Sequence, residues 1–369
     1  MKKKNIWTLS LTTYLLIVTL IATAITGCGL RPKSATPTPT LASEIVFYDW
    51  EDDLPEQVLK AFTAEYGVEV KYLTYLTQEE AIENLKAGKV YDVVVFDNRF
   101  IPGLVRDNLI SEIDLNNIPN MKNLSPTFCH FPFDAQGNYR VPFNWGTVGL
   151  LMRDEFGTLA PLKWQDLWSP ILDSKVILWK SMLRENVGMS LKSLGYSINS
   201  EDPNELEAAL NHLIKLKPQI LFGEDVDEEL DSITPILADG LAMIGMGESY
   251  DYYYDPDYIP NLHFILPEDG AILFADNFTI PSNSPNHYTA ELFVNFLLRP
   301  EIGALITNEN HYPTPNDAAR AYVTPEILAS PAVYPDTTEI SSAEIIMPLS
   351  PEGEKLYAEI WERFLAAEP

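Results

Sequence analysis

A carboxylate set between two apolar runs is where this chain is best placed to do chemistry. In the stretch from Gly270 to Pro281, Asp276 divides two segments that each read as buried strand. Two uses fit such an acid. It can accept backbone N–H groups at a strand end or bulge, or it can hold a cation, since a carboxylate taken out of water without a partner is costly and a bound ammonium group offsets that cost. Other candidates stand beside strand-like runs. Trp50 and Asp53 follow one run, Asp97 and Arg99 another, and Glu248 with Tyr250 a third. Arg99 has two possible partners, Asp97 or a ligand carboxylate. Trp50 offers either packing or an aromatic face, and Tyr312, between His311 and Pro313, either shapes a turn or presents its phenol. Glu185 opens a helical stretch, where an acid suits the helix dipole as well as it suits a ligand.

These residues do not form a catalytic pattern. The chain has no G-x-S-x-G, no H-E-x-x-H and no G-x-x-x-x-G-K, and its five histidines lack metal-ligand spacing. No enzyme activity, metal or cofactor is therefore expected; a secreted hydrolase using a carboxylate pair is the one hydrolytic chemistry so many acids leave open. With 25 Lys and Arg against 53 Asp and Glu, the net charge is −28. That field repels nucleic acid and anionic lipid and favours solubility and cationic ligands.

The elements that must position the candidates alternate. Glu44–Tyr48 and Val68–Tyr72 read as strands around a helix over Pro55–Tyr66. A capping box at Thr77 and Glu80 starts a helix running to Ala87, and Asp92–Phe96 is short and apolar enough for a buried parallel strand. Strand–helix repetition of this kind implies a doubly wound α/β lobe with ligands outside the C-terminal strand ends, which are the loops carrying Trp50, Asp53, Asp97 and Arg99. The extended run Tyr139–Leu150 carries the chain to a second lobe, with strands over Val176–Trp179, Leu241–Met246 and His263–Leu266 and a helix over Asn204–Lys215. Asp276 marks the return, followed by a helix over Tyr288–Leu298.

Before this body lies a leader. Lys2, Lys3 and Lys4 precede an apolar run from Ile6 to Ile25 that ends in Ile25-Thr-Gly-Cys28. This is a secretory signal with a lipobox, in place of the plain membrane anchor that so long a run would otherwise imply. It resembles bacterial lipoprotein signals, in which the cysteine is lipidated, so residues 1–27 are expected to be the signal peptide. Residues 28–43 are then lipidated Cys28 and a Pro/Thr-rich tether. Cys129 is left without a disulfide partner and reads as a small packed residue.

Six short segments, in order over nearly the whole body, carry a family resemblance: Phe47–Trp50, Tyr91–Val95, Val141–Gly146, Leu194–Ser197, Asn295–Pro300 and Tyr312–Asn316. Together they resemble the bacterial spermidine/putrescine-binding proteins of ABC transporters. The resemblance implies a type II periplasmic-binding-protein-like fold, two α/β lobes with a ligand cleft between them, joined by crossing segments near Thr147–Met152, Leu273–Asp276 and Pro325–Ser330. Lobe one is then 44–148 with 277–326, and lobe two 149–276 with 327–369. It also implies a monomer that binds polyamine and hands it to membrane permease subunits, held by Cys28 in the periplasm or on the outer cell surface.

Carried over position by position, the resemblance puts Trp50 and Tyr312 on aromatic ligand contacts and Glu185 and Asp276 on amine-binding acids, with Phe274 in place of a Trp. A family Asp becomes Met182, a cleft Trp becomes Gly245, two Tyr become Asp53 and Arg99, and a Gln falls near Ile346. Losing an acid at Met182 and gaining a cation at Arg99 disfavours an extended dication unless Asp53, Asp97 or Glu248 compensates. The alternative ligand is a zwitterion, such as an amino acid or short peptide, gripped through Arg99.

Overall fold

Apolar runs separated by amphipathic stretches build the body from its first residues. The strands β1 (Glu44–Asp49), β2 (Glu69–Thr74) and β3 (Val93–Asp97) alternate with helices α1 (Glu56–Tyr66) and α2 (Gln78–Lys86), and α3 (Ile101–Arg106) follows β3. Next come β4 (Val141–Arg153), β5 (Lys175–Leu178), α4 (Leu183–Ser193), α5 (Pro203–Leu216), β6 (Ile220–Phe222), β7 (Ala242–Glu248) and β8 (Leu262–Ile265). The chain then runs through β9 (Ile272–Thr279), α6 (His287–Leu297), α7 (Pro300–Asn310), β10 (Glu344–Ile345) and α8 (Pro351–Ala366). This computed structural model describes residues 39–368 except 52, 154–161, 170–174, 228–231, 254–260 and 337–339. The leader and Cys28 lie outside the described residues.

Local chemistry sets several boundaries. Gly67, at φ +69°, stops α1 by taking the left-handed conformation and donating its N–H to the Thr63 carbonyl. Thr77 caps α2 by accepting the Glu80 N–H at 3.1 Å, while the Glu80 carboxylate reaches back to the N–H of Leu76, one residue before the cap. The boxed pair is thus present with its return arm shifted by one residue.

The described strands form one sheet in the order β2-β1-β3-β9-β4-β7-β5-β6, with β8 also beside β4 and β10 beside β9. The β1 strand runs parallel to both neighbours, as the strand–helix pattern requires. The return strand β9 enters antiparallel, between β3 and β4.

The two largest buried clusters among the described residues hang on that sheet. One gathers Ile45, Phe47, Phe62, Val93, Phe143, Phe278 and Phe293; the other gathers Val148, Leu150, Trp164, Val176, Leu210, Ile272 and Trp361. Strands β4 and β9 contribute to both: Phe143 and Phe278 to the first, Val148 and Ile272 to the second. The result is an α/β fold of two lobes with continuous strands passing between them.

Five of these elements, α3, β6, α7, β10 and α8, fall outside the sequence expectation, and three of them are instructive. At three residues β6 is too short to show a period. The α7 helix begins at Pro300, a residue that otherwise reads as the end of a motif but suits the first helical turn. The α8 helix had a readable signal, since Tyr357, Ile360, Trp361 and Phe364 are its buried stripe at helical spacing.

Phe293 shows what holds the first core together. It is fully buried on α6 with its ring centroid 5.6 Å from Phe47 and 4.9 Å from Phe62, both edge-on. Phe293→Ala should cost about 3–5 kcal/mol, read as a lower urea midpoint. A loss below about 1 kcal/mol would show that this aromatic cluster does not anchor the lobe.

Candidate ligand-binding site

Asp276 lies where β9 leaves one core for the other. Residues two apart on a strand share a face, so Ile272, Phe274, Asp276 and Phe278 line one side. Ile272 and Phe278 are each buried, in opposite cores. Asp276 falls in the gap between them. Its strand neighbours are Asp97 on β3 and Asn144 on β4. The β4 register slips between Pro142 and Asn144, an irregularity of the kind that re-aims side chains. Asn144 there donates to the Asp53 carboxylate at 3.5 Å.

The backbone-accepting use proposed for an acid in this position belongs to Asp97. Its Oδ1 accepts the Arg99 N–H at 2.8 Å and its Oδ2 the Ala275 N–H at 3.4 Å. Among the described residues no hydrogen bond reaches the Asp276 carboxylate, which is 6% exposed.

Further acids converge on the same gap. Glu248, at the end of β7, accepts the Tyr312 hydroxyl at 2.9 Å. Glu185, in the first turn of α4, accepts Arg99 Nη1 at 3.3 Å, and the Arg99 Nε stands 3.9 Å from Asp97. Asp49, which opens the loop expected to meet ligands but was not itself singled out as a site residue, ends β1 fully buried; its Oδ1 accepts the Trp50 N–H while its Oδ2 has no hydrogen-bond partner among the described residues. The signal for Asp49 was available, because it closes β1 as Asp97 closes β3.

The electrostatics follow from this crowding. Burial, then the charges of Asp97, Asp53 and Glu248, push the Asp276 carboxyl well above the ordinary range, with Arg99 pulling the other way. Burial and Asp53 do the same to Asp49. Glu248 is pushed up to about 8 by burial and then by Asp251, against the Tyr312 hydrogen bond. Burial works against the charge on Arg99, but Glu185 and Asp97 outweigh it and hold its pKa up. The site therefore gathers acids whose charged forms are disfavoured without a further cation, so that they hold protons more tightly than ordinary carboxyls.

Aromatic rings flank the acids. Tyr312 stacks on Tyr250 at 6.2 Å and meets Phe274 edge-on at 5.9 Å. Phe274 lies over Gly146, where a Cβ would come within 2.3 Å of its ring, so the glycine makes room for it. Trp50 packs edge-on against Tyr75 at 4.8 Å, and the Tyr72 hydroxyl donates to the Trp50 carbonyl. Gly245 is closed over: a Cβ there would come within 2.1 Å of Ile177 and 2.8 Å of Ile233, whose side chains fill the space. Met182 precedes α4, half-buried against the second core.

The comparisons with known proteins bear on this arrangement. Residues 57–335 match the family described as bacterial extracellular solute-binding protein. The chain belongs to that family. Among this solute-binding protein's relatives, it is 32% identical over 329 residues to the spermidine/putrescine-binding periplasmic proteins of Salmonella typhimurium and Escherichia coli, covering 88% of this chain and 91% of theirs. The putrescine-binding periplasmic protein SpuD of Pseudomonas aeruginosa is 28% identical, with 86% and 90% covered. Its fold superimposes with a TM-score of 0.77 on the spermidine/putrescine ABC transporter substrate-binding protein PotD of Streptococcus pneumoniae, 28% identical, covering 88% of this chain and 99% of that one. Among the described residues of the binding protein, no helix is long and apolar enough to cross a membrane.

Proposed function

We propose that this solute-binding protein captures a polyamine, spermidine or putrescine, in the gap around Asp276 and delivers it to an ABC permease. The observation that carries the reading is the excess of acid: Asp49, Asp53, Asp97, Glu185, Glu248 and Asp276 gather there, against Arg99 and the neighbouring Arg184. A polyamine is a methylene chain carrying ammonium groups at intervals. Carboxylates suit those charges through charge-assisted hydrogen bonds, and the faces of Tyr312, Phe274 and Trp50 suit the methylenes and contribute cation–π contacts of about 0.5–2 kcal/mol. Arg99, on which a zwitterionic ligand would depend, already faces two carboxylates of the protein.

The relatives named as polyamine-binding periplasmic proteins support the same reading. We further infer an extracytoplasmic protein held to the membrane through lipidated Cys28, acting as a monomer whose lobes close by a hinge motion over the ligand. Residues 44–148 with 277–326 form lobe one and the rest of the body lobe two, except that the third passage falls later than Pro325–Ser330. Ile327, Val333 and Tyr334 pack with Ala304 and Ala319, and it is Ile346 that joins the second core.

Thermal unfolding of the detergent-solubilised protein tests the ligand. Spermidine or putrescine at about 100 times its Kd should stabilise the folded state by about 2.7 kcal/mol and raise the midpoint. Neutral sugars and amino acids should not. A shift with an amino acid alone would move the assignment to a zwitterion.

A further inference from the structure

Arg99 is a cationic side chain facing this cluster of acids, and its position is fixed from several sides. It stands directly after β3, in a turn that Asp97 caps by accepting the Arg99 backbone N–H. Its guanidinium lies 4.8 Å from the Phe100 ring centroid and reaches Glu185 on α4, an element of the opposite core, at 3.3 Å. Both side chains are largely covered, 22% exposed for Arg99 and 10% for Glu185. The pair leaves Glu185 Oε2 and Arg99 Nε buried without hydrogen-bond partners among the described residues. A guanidinium on an acid that faces a cation-binding gap occupies the place of a ligand ammonium group.

We propose that Arg99 acts as a resident cation that takes the Glu185 end of the cleft, so that the protein selects a short diammonium ligand over a longer triammonium one. The inference rests on the polyamine reading above. With Glu185 engaged and Asp97 shared, Asp276 and Glu248 are the acids placed to meet ligand ammonium groups, Glu248 while also accepting the Tyr312 hydroxyl. Those acids suit two ammonium groups. A third, on a longer chain, meets the guanidinium as a like charge. Arg99 also joins an element of one core to an element of the other.

Calorimetric titration of the detergent-solubilised full chain with putrescine, cadaverine and spermidine tests this, on the wild type, Arg99→Met and Arg99→Lys. Wild type is expected to bind putrescine at least about tenfold more tightly than spermidine, about 1.4 kcal/mol. Arg99→Met, which frees Glu185 and removes the like charge, should shift that ratio toward spermidine by about tenfold or more. Arg99→Lys keeps the charge and should keep the wild-type ranking, which separates charge from shape and supplies a variant whose buried acids stay paired. If all three proteins bind amines with the same putrescine-to-spermidine ratio, or if wild type already prefers spermidine, the inference falls and the polyamine reading stands. If none binds any amine, both fall.

Discussion

Asp276→Asn is expected to weaken polyamine binding by about 30-fold to several thousand-fold, the equivalent of about 2–5 kcal/mol for truncating one partner of a buried, hydrogen-bonded charge pair. The fold should survive intact. Asp276 lies beside Asp97 across the β3–β9 pair, takes no hydrogen bond from the described residues, and has its charged form opposed by burial and by Asp97, Asp53 and Glu248. Arg99 favours that charge, but burial and the neighbouring acids outweigh it. An amide of the same shape relieves the repulsion, so the unliganded variant should melt at or above the wild-type midpoint. Calorimetry and thermal unfolding on the same preparations separate the two effects. A change in affinity below about threefold would remove Asp276 from the site, and a lower unliganded midpoint would show that its charge is structural.

The second large effect is on pH. Glu248 titrates near 8 in the folded protein against 4.5 for an ordinary glutamate, and Asp276 and Asp49 are raised as well. For an acid whose folded pKa is raised, the folded state keeps a proton that the unfolded chain releases. Stability of the ligand-free protein therefore falls as pH climbs from about 4.5 toward about 8. Binding has the opposite slope. An ammonium group favours the ionised acid and expels its proton, so affinity should rise across the same window, by up to about tenfold per pH unit for each proton released. The ligand's own amines titrate well above this range, as a lysine does near 10.4, and contribute little. Titrations with spermidine between about pH 5 and about pH 8 in buffers of different ionisation enthalpy read both the slope and the proton count. Glu248→Gln should flatten the profile. A flat wild-type profile would mean that the acids are already ionised before the ligand arrives.

How much of this was readable in the chain differs from element to element. The strand–helix alternation through Phe96 predicted the parallel β1, β2 and β3, because the buried β3 is a continuous apolar run, the edge strand β2 alternates, and the helices leave a periodic stripe. Asp276 stood out because an acid between two apolar runs is costly. What the gap between those runs meant became clear only from the tertiary structure: Ile272 and Phe278 belong to different cores, and the acid is where the strand crosses between them. Asp49 was missed because its own run ends in acids and aromatics that read equally well as a solvated loop. The α8 helix was missed although its buried stripe is regular.

Sequence alone determined the strand–helix order of the first lobe, the acidic balance, the leader-like N-terminus and the residue types that suit a cation, since each of these depends on neighbours along the chain. Tertiary structure decided which acids meet. Glu185 and Arg99 are 86 residues apart, Glu248 and Tyr312 are 64 apart, and no local pattern encodes either pairing. The state of Arg99 was decided there as well. In the sequence it could equally serve Asp97 or a ligand carboxylate; in the fold, two strands passing between two cores bring α4 up to the end of β3, and a guanidinium in that gap is held by the protein's own acids.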